Sequence, residues 1–303
     1  MKTIIVGFGN QGKKRKKILL KDYTASVDPI SKQADYKYIK EVPVGVYDSA
    51  LVCVPDKEKF EVIKYCLINK KNVLVEKPLF FNDLNKIKFL QNLANKNKTV
   101  LYTAYNHRFE PHFQRLKKLL NSKKLGEIYS CRLFYGNGTA RLVRKSSWRD
   151  SGMGVLTDLG SHLLDTYNYW FNKRDNFKLI TKNHFENKSP DHVIMMSKKK
   201  NPFIQFEMTL CMWRNFFSCD VLGKNGSAHI FSLCKWGPSK FIHRIRKLPS
   251  GKPIQKKIIL IKKDPTWGLE YKYFKSLVKK YKKCNLENDI WINKQILQLS
   301  KNK

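Results

Sequence analysis

Near its start the chain reads Ile4-Ile5-Val6-Gly7-Phe8-Gly9-Asn10-Gln11-Gly12. A short apolar run that enters a glycine-rich turn and then a helical pattern is typical of a dinucleotide-binding strand, turn and helix. Gly7 permits the tight turn, Gly9 lets the backbone approach a pyrophosphate, and Gly12 permits close packing of the helix on the strand. The free amides and the dipole at the start of such a helix favour a phosphate group. The stretch therefore predicts a dinucleotide-binding domain.

The end of the next predicted strand bears on the choice of cofactor. It reads Val27-Asp28-Pro29, with Asp28 placed 21 positions after Gly7. An acidic side chain there can accept hydrogen bonds from the adenine ribose diol, and it repels a 2′-phosphate. The sequence thus favours NAD over NADP. Lys32 keeps NADP open, because a cation near this position can receive the 2′-phosphate.

A lysine stands where another predicted strand ends, in the run Asn72-Val73-Leu74-Val75-Glu76-Lys77-Pro78. In open α/β sheets, ligands bind outside the carboxyl ends of the strands. We therefore expect Lys77 to face bound cofactor and substrate, provided that its strand shares a sheet with Ile4–Val6.

Strand and helix patterns alternate over the first hundred residues, which predicts a doubly wound parallel sheet. Strands are expected at 3–6, 23–27, 50–54, 72–75 and 99–103, with helices at about 12–21, 57–70 and 82–95. After residue 104 the expected order is a helix at 110–120, a strand at 126–135, a helix at 154–170, strands at 177–185, 191–198, 203–212, 215–222, 226–233 and 254–261, and helices at 268–282 and 288–300. We predict two domains, a dinucleotide-binding domain over residues 1–107 and an α+β domain with an open, mostly antiparallel sheet over 108–303. The last helix, about 288–300, can pack back on the first domain.

The predicted helix at 154–170 carries two stripes. An apolar stripe recurs at spacings of three and four, formed by Leu156, Leu159, Leu163, Tyr167 and Trp170. A polar stripe runs beside it, formed by Asp158, His162 and Asp165. Residues four apart meet on a helix surface, so Asp158 can orient or charge-stabilise His162, and a histidine suits proton transfer near neutral pH. The alternative interpretation is an exposed Asp–His pair on the solvent side of an amphipathic helix.

The formal net charge of +36 raises the question of anionic partners. Clustered Lys and Arg can displace counterions from nucleic acid. However, the lysines are spread along the whole chain, Asn and Ile are abundant beside them, and an AT-rich genome over-encodes all three residues. A nucleic-acid role is disfavoured, because no recognisable binding module accompanies the charge. A basic field that draws in anionic substrates is the better-supported hypothesis.

Cysteine usage and apolar runs bear on the cellular compartment. The seven cysteines are an odd number without a C-x-x-C pair, which is typical of reduced, intracellular proteins. The start Met1-Lys2-Thr3 enters a strand directly, and no apolar run approaches the length of a membrane span. We expect a cytoplasmic protein without membrane association.

Five motifs in this order resemble the Gfo/Idh/MocA family of nicotinamide-dependent oxidoreductases. They are Gly7-x-Gly9-x-x-Gly12, Glu76-Lys77-Pro78, Tyr105-Asn106-His107-Arg108-Phe109, Trp148-Arg149 and the glycine-rich Asp158-x-x-x-His162 segment. The resemblance implies an N-terminal Rossmann domain and a C-terminal domain whose open sheet commonly forms homodimer or homotetramer contacts. It implies a cis peptide before Pro78. It also implies that Lys77, Asp158 and His162 face the nicotinamide and a substrate carbinol, usually a secondary hydroxyl of a sugar, cyclitol or nucleotide sugar.

The predicted site residues follow from the motifs and the resemblance together. Catalysis is assigned to Lys77, Asp158 and His162; cofactor binding to Gly7, Phe8, Gly9, Asn10, Gln11, Gly12, Asp28, Pro55, Glu76 and Lys77; and substrate binding to Lys77, Asn106, Arg108, Trp148, Asp158 and His162. Arg108 could instead form a salt bridge that ties the domains together, and Trp148 could belong to a domain-interface core. No metal is expected, because His107 and His112 lack further ligands at metal-binding spacing.

The chain departs from the family pattern in two places. The usual three-glycine run is Gly152-Met153-Gly154 here, and the common Asn-x-x-His after the third strand is replaced by Asp56-Lys57-Glu58-Lys59. The second departure puts the usual contacts around the nicotinamide ribose in doubt. The sequence also leaves open an NAD-binding sensor or scaffold protein without turnover, although such a protein has no physical need for Lys77, Asp158 and His162 together.

Overall fold

The computed structural model describes residues 1–147, 149–150 and 152–301. The chain forms two compact units. The first comprises Met1–Asn106 and Pro265–Lys294, and the second comprises His107–Asp264 and the chain from Gln295 onward.

The first unit contains a parallel sheet with helices on both faces. Its elements are β1 (Thr3–Val6), α1 (Asn10–Leu19), β2 (Tyr23–Val27), β3 (Ser49–Val52), α2 (Asp56–Ile68), β4 (Asn72–Glu76), α3 (Leu84–Lys96), β5 (Leu101–Ala104) and α7 (Thr266–Lys279), followed by the start of α8 (Glu287–Lys301). In the described chain the strand order is β2-β1-β3-β4-β5, and every pairing is parallel. The predicted parallel sheet is confirmed, and Lys77 does follow a strand of the same sheet as Ile4–Val6.

The strand order places a topological switch point between β1 and β3. The chain passes from β1 to β2 on one side and then crosses to β3 on the other side of β1. Ligands of open α/β sheets bind at such a switch point, outside the carboxyl ends of the strands. The segments that follow β1 and β3 are the glycine turn and Cys53-Val54-Pro55. β4 lies beside β3, so Lys77 follows at the same edge, about 10 Å from β1 at ordinary strand spacing.

The strands are apolar on both sides because helices cover both faces. Ile4 and Val6 belong to the core beneath α2 and α3, whereas Ile5 belongs to the core on the opposite face. That second core includes Tyr271 and Phe274 of α7. The predicted division at residues 107 and 108 therefore differs from the structure, which places α7 with the first unit. The physical reason is that α7 buries its apolar stripe on the parallel sheet.

The second unit contains a large mixed sheet and helices that pack on it. Its elements are α4 (Pro111–Asn121), β6 (Ile128–Gly136), α5 (Ala140–Arg144), α6 (Ser161–Phe171), β7 (Phe177–Asn183), β8 (His192–Ser197), β9 (Phe203–Thr209), β10 (Phe216–Gly223), β11 (Gly226–Phe231), β12 (Ser239–Lys247) and β13 (Gly251–Leu260). In the described residues the order is β13-β12-β11-β10-β6-β9-β8-β7, and only β6 and β9 pair in parallel. The predicted open, mostly antiparallel sheet is confirmed.

The two faces of the mixed sheet differ in burial, because side chains alternate along each strand. One face packs on the helices of this unit, where Phe217 contacts Phe113 of α4 at a ring separation of 4.9 Å and Phe206 contacts Tyr167 of α6 at 6.3 Å. The other face carries partly exposed apolar side chains, including Phe216, Leu222 and Phe231.

Three local features differ from the sequence prediction. Strand β12 was not predicted, and neither was the short helix α5. The predicted helix at 154–170 begins as a π-helical turn over Leu156–Gly160 and becomes α-helical at Ser161. The expected cis peptide is present between Lys77 and Pro78. Among the described helices, none combines the length and apolarity needed to cross a bilayer.

Candidate functional site

The glycine turn after β1 has the geometry that a pyrophosphate site requires. Gly7 has a φ of 93°, and a Cβ at this position would lie 2.7 Å from the carbonyl carbon of Cys53. A Cβ at Gly12 would lie 2.1 Å from the carbonyl oxygen of Gly7. By contrast, a Cβ built on Gly9, the N-cap residue of α1, would meet no heavy atom within 4 Å among the described residues other than Gly9 and its two chain neighbours. The backbone is therefore accessible on the side where the α1 amides can receive a phosphate.

Asp28 is held at the end of β2 by three backbone amides. Its Oδ2 accepts from the Phe8 amide at 2.7 Å, and its Oδ1 accepts from the amides of Ile30 and Ser31 at 2.9 and 2.8 Å. Burial tends to raise the pKa of Asp28, but the three amide donors outweigh burial and hold the pKa below its ordinary value. A carboxylate has about four acceptor positions, so it can still accept a ribose hydroxyl. The residues of this turn and strand end fit the adenosine half of NAD.

Glu76, predicted to contact the cofactor, holds the first helix to the sheet. Its Oε1 accepts from Nε of Arg15 at 2.6 Å, and the same guanidinium donates to Glu270 of α7 at 2.8 Å. The Arg15 guanidinium also lies 4.3 Å from the ring centroid of Trp267. Burial alone would lower the pKa of Arg15, but the two carboxylates together outweigh burial. The pKa therefore lies above its ordinary value and the group stays charged. Glu76 therefore has a structural role here, and its contact with the cofactor remains a prediction.

The remaining predicted residues of the first unit lie at or beside the carboxyl edge of its sheet. Pro55 precedes α2, Lys77 follows β4, and Asn106 follows β5. The side-chain amide of Asn106 is buried and donates to Oγ1 of Thr266 at 2.8 Å. Thr266 is the first residue of α7, so this bond links the end of β5 to that helix.

In the second unit, the segment before His162 adopts an irregular turn for identifiable reasons. Gly154 has a φ of 50°, and a Cβ there would lie 2.0 Å from the carbonyl oxygen of Pro190. The hydroxyl of Thr157 donates back to the carbonyl oxygen of Gly154 at 3.0 Å, and that of Ser161 donates to the carbonyl oxygen of Thr157 at 2.7 Å. Such back-bonding bends helices, and single π-helical turns are frequent at functional sites. The phase of 3.6 residues per turn does not hold across Leu156–Gly160.

His162 lies in a cluster of aromatic rings. It stacks on His107 with a centroid separation of 4.0 Å and an interplanar angle of 16°. Tyr135 lies 5.4 Å from His107 and 6.1 Å from His162, measured between ring centroids. Burial raises the pKa of Tyr135 well above its ordinary value, and the Asp158 carboxylate adds to the rise, so the phenol keeps its proton. His162 is only 7% exposed, so the interpretation of an exposed Asp–His pair is wrong.

The acidic and basic residues around this cluster form two ion pairs. Asp158 lies 3.5 Å from Arg149, and both side chains are about one-third exposed. Arg108 makes a bidentate pair with Asp165, in which Nε donates to Oδ2 at 2.9 Å and Nη2 donates to Oδ1. Both partners belong to the second unit, so this pair does not tie the two units together. The contact of Arg108 with substrate remains a prediction, and Trp148 lies outside the described residues.

Sequence reasoning missed His107 and Tyr135 as members of this cluster. From sequence spacing, His107 is only a candidate metal ligand and Tyr135 is only part of a predicted strand. The signal that was available is that His107 lies in the Tyr105–Phe109 motif beside Asn106 and Arg108. No group of three or more His, Cys, Asp or Glu residues arranged for a metal ion occurs among the described residues. All seven cysteines carry free thiols.

Comparisons with known proteins identify both parts of the chain. A family model described as "Oxidoreductase family, NAD-binding Rossmann fold" matches residues 2–105, and one described as "GFO/IDH/MocA C-terminal domain" matches residues 113–229. An uncharacterised oxidoreductase of Schizosaccharomyces pombe is 35% identical over 119 residues, or 38% of this chain and 31% of that protein. Glucose-6-phosphate 3-dehydrogenase of Bacillus subtilis is 30% identical over 106 residues, or 33% of this chain and 30% of that protein. The matched region thus spans about a third of the length of these curated relatives.

A solved structure extends the likeness over the whole chain. Levoglucosan dehydrogenase in complex with NADH superposes with a TM-score of 0.83 at 15% identity, covering 99% of this chain and 96% of that chain. At this identity the likeness shows the shared fold alone.

Proposed function

The chain belongs to the Gfo/Idh/MocA family of oxidoreductases, and from this premise we propose that it transfers a hydride between NAD and a secondary hydroxyl of a sugar-like substrate. The observation that carries the proposal is the position of Lys77. It follows β4 at the carboxyl edge of the sheet whose switch point carries the glycine turn. A cation at that position suits an oxygen that becomes negatively charged during the reaction.

The reaction requires two contributions from the protein, a general base and a hydrogen-bond donor. When a hydride leaves a carbinol carbon, the hydroxyl proton must leave as well, so a base must lie within hydrogen-bond reach of that oxygen. We assign this role to His162, the buried imidazole that stacks on His107. Lys77 donates a hydrogen bond to the same oxygen and stabilises its developing negative charge. The phenol of Tyr135, which keeps its proton, is a further donor beside the imidazole.

The proposed cofactor is NAD, whose bound nicotinamide accepts the hydride. The amides of Asn10 and Gln11 at the start of α1 hold the pyrophosphate, with Gly9 leaving room for its approach. Asp28 accepts a hydroxyl of the adenine ribose, and its charge disfavours a 2′-phosphate. Lys32 is exposed nearby, so weaker use of NADP is compatible with this arrangement.

The proposed substrate class is a sugar, cyclitol or nucleotide sugar. A relative of this chain is named for glucose 6-phosphate and a structural neighbour for levoglucosan, one anionic and one neutral. The net charge of +36 favours anionic members of this class, since a basic surface raises their local concentration. Raising the salt concentration should then weaken the apparent affinity for an anionic substrate more than that for a neutral one.

We also propose that the exposed face of the mixed sheet binds a second copy of the chain. Phe216, Leu222 and Phe231 are 36%, 46% and 36% exposed on neighbouring strands of that face. A second copy of the chain that packs on this face would remove these apolar side chains from water. Light scattering on purified protein tests this, with a dimer or tetramer expected and a monomer contradicting it.

The proposed function is tested with a panel of sugars, sugar phosphates, cyclitols and nucleotide sugars. Each compound is offered with NAD and with NADP while NADH or NADPH absorbance is followed. We expect turnover with at least one compound, faster with NAD, and its loss in a Lys77→Met variant that still binds NADH. NADH binding without turnover across the whole panel would contradict the proposal and favour the sensor hypothesis.

A further inference from the structure

Lys59 of α2 carries a buried ammonium group that reaches the loop containing Lys77. Its Nζ donates to the carbonyl oxygen of Glu76 at 2.8 Å and to that of Pro78 at 2.6 Å. Oδ1 of Asp56, one turn earlier in α2, lies 2.7 Å from the same Nζ. Lys59 as a whole is only 2% exposed. All five residues belong to the first unit.

These three contacts account for the full bonding capacity of the ammonium. A lysine ammonium has three N–H donors and no acceptor. A buried charge persists only when it is paired and hydrogen-bonded, and here one carboxylate and two carbonyls meet that need. The two carbonyls belong to the residues immediately before and after Lys77. One buried atom therefore fixes the backbone on both sides of Lys77.

The same two residues mark the departure from the family pattern. The common motif after the third strand is Asn-x-x-His, and in this chain Asp56 stands at the Asn position and Lys59 at the His position. The structure shows that the two replacements face each other as an ion pair one helical turn apart. Asp56 lowers the energetic cost of burying the Lys59 ammonium, because without this carboxylate the buried charge would lack an ionic partner.

We propose that Lys59 is the positioning residue for Lys77, and that Asp56 holds Lys59 in place. The inference rests on the proposed function, in which Lys77 donates to the reacting oxygen. We call the contacts of the Lys59 ammonium with the carbonyl oxygens of Glu76 and Pro78 the clamp. Without the clamp, segment 76–78 loses its attachment to α2, and the backbone that carries the Lys77 side chain is no longer held in one position. A displacement of about 1 Å in a reacting constellation can cost about 10²-fold in rate.

The chain offers a matched control at the other end of β4. Lys71 directly precedes this strand, donates to the carbonyl oxygen of Tyr47 at 2.7 Å, and lies 5.0 Å from the centroid of the Tyr47 ring. It is a lysine that fixes a main-chain carbonyl in the same unit, but at the edge opposite to Lys77. Lys71→Met therefore reports the loss of a structural lysine without a change at the predicted site.

The experiment compares kcat, KM and NADH affinity in Lys59→Met, Lys71→Met and wild type, using a substrate found with the panel. We expect Lys59→Met to lower kcat by about 10–100-fold, with NADH affinity within threefold of wild type, while Lys71→Met keeps kcat within threefold. Equal kcat losses in the two variants, or a Lys59→Met variant with wild-type kcat, would overturn the proposal.

Two further variants guard against misfolding of Lys59→Met. Asp56→Asn keeps the ammonium and both carbonyl contacts, and we expect a smaller loss of kcat than in Lys59→Met. Adding Lys59→His to Asp56→Asn recreates the common family pair, and we expect it to recover more kcat than Lys59→His alone. A double variant that is no better than Lys59→His would contradict the coupling of these two residues.

A readout without substrate separates this inference from the proposed function. Hydrogen exchange of a peptide covering residues 76–81 should be faster in Lys59→Met than in wild type and unchanged in Lys71→Met. If the panel gives no turnover with wild type, the proposed function fails, yet this exchange still decides whether the clamp exists. Unchanged exchange in Lys59→Met would overturn the clamp itself.

Discussion

Lys77 and His162, the two side chains assigned to the chemistry, are held by different kinds of structure. Lys77 follows a regular strand, and its neighbours are fixed by charged groups, namely Lys59 on the main chain and Arg15 on Glu76. His162 follows an irregular turn and packs against the rings of His107 and Tyr135. Hydrogen bonds from charged groups thus fix the backbone around Lys77, whereas packing against aromatic rings fixes the side chain of His162. The two should therefore respond differently to substitution, pH and salt.

The largest expected effect comes from removing either residue itself. We expect Lys77→Met and His162→Asn each to lower kcat by about 10²–10⁴-fold, the range of general acid–base and oxyanion contributions. NADH affinity, measured by fluorescence titration, should stay within threefold in both variants. His243→Asn serves as a histidine control on the mixed sheet. A variant of Lys77 or His162 with near-normal kcat would remove that residue from the mechanism.

The second prediction concerns the ion pairs of the His162 region. Asp165 is 1% exposed, so Arg108→Met leaves a buried carboxylate without its bidentate partner. We expect a loss of roughly 3–5 kcal/mol in the free energy of unfolding. The control is Arg149→Met, which breaks the exposed pair with Asp158 and should cost less than about 1 kcal/mol. Urea denaturation of both variants measures the difference, and equal losses would contradict the burial argument.

A smaller effect is expected from the ring that stacks on His162. His107→Phe keeps a flat ring against His162, whereas His107→Ala removes it. An aromatic pair contributes about 0.5–1.5 kcal/mol, so we expect His107→Ala to lower kcat by about 2–10-fold and His107→Phe to stay close to wild type. If His107→Phe is as impaired as His107→Ala, the imidazole of His107 has a chemical role beyond packing.

The smallest expected effect is a difference between the two units in how their stability depends on pH. Burial raises the pKa of Glu110 in the second unit, so stability falls as pH rises from the unfolded value of about 4.3 through the folded pKa. Burial also tends to raise the pKa of Asp22 in the first unit, but hydrogen bonds from Lys275 and Tyr271 lower it overall. The stability from Asp22 is present above about pH 3.9 and is lost as pH falls through the folded pKa.

Glu110→Gln should therefore flatten the decline of thermal stability that begins as pH rises past about 4.3, compared between pH 4 and pH 7, by less than the effect of Arg108→Met. Asp22→Asn should destabilise the protein at pH 7, and by progressively less as pH falls below about 3.9. Thermal unfolding monitored by circular dichroism at these pH values measures both. A Glu110→Gln variant that is destabilised more at pH 7 than at about pH 4 would reverse the assigned sign.

The strands of the first unit could be predicted to within about two residues at either end, because each is an apolar run bounded by turn signals. The position of Lys77 followed from the same patterns, since carboxyl ends of parallel strands share one edge. Strand β12 could not be predicted because neither of its faces is uniformly apolar or polar. Ile242 shares one face with Lys240 and Arg244, and His243 shares the other face with Phe241 and Ile245. The placement of α7 could not be predicted, because an apolar stripe indicates that a helix is buried but not which sheet it packs on.

The His162 region was harder to predict, because its geometry depends on distant residues. The wide turn at Leu156–Gly160 depends on Gly154 packing against Pro190, which lies in another loop. The pairing of Arg108 with Asp165 joins residues 57 positions apart, and the stack of His107 on His162 joins residues 55 positions apart. Helical spacing alone finds none of these contacts.

The central claim is that Lys77 and His162 act on one oxygen of one substrate. The most direct measurement is the kcat of the double variant, Lys77→Met with His162→Asn, beside the two single variants. Groups that act as a unit are non-additive, so we predict that the double variant loses no more than about tenfold beyond the worse single variant. A loss equal to the product of the two single losses would mean that the residues act independently, and it would contradict the account.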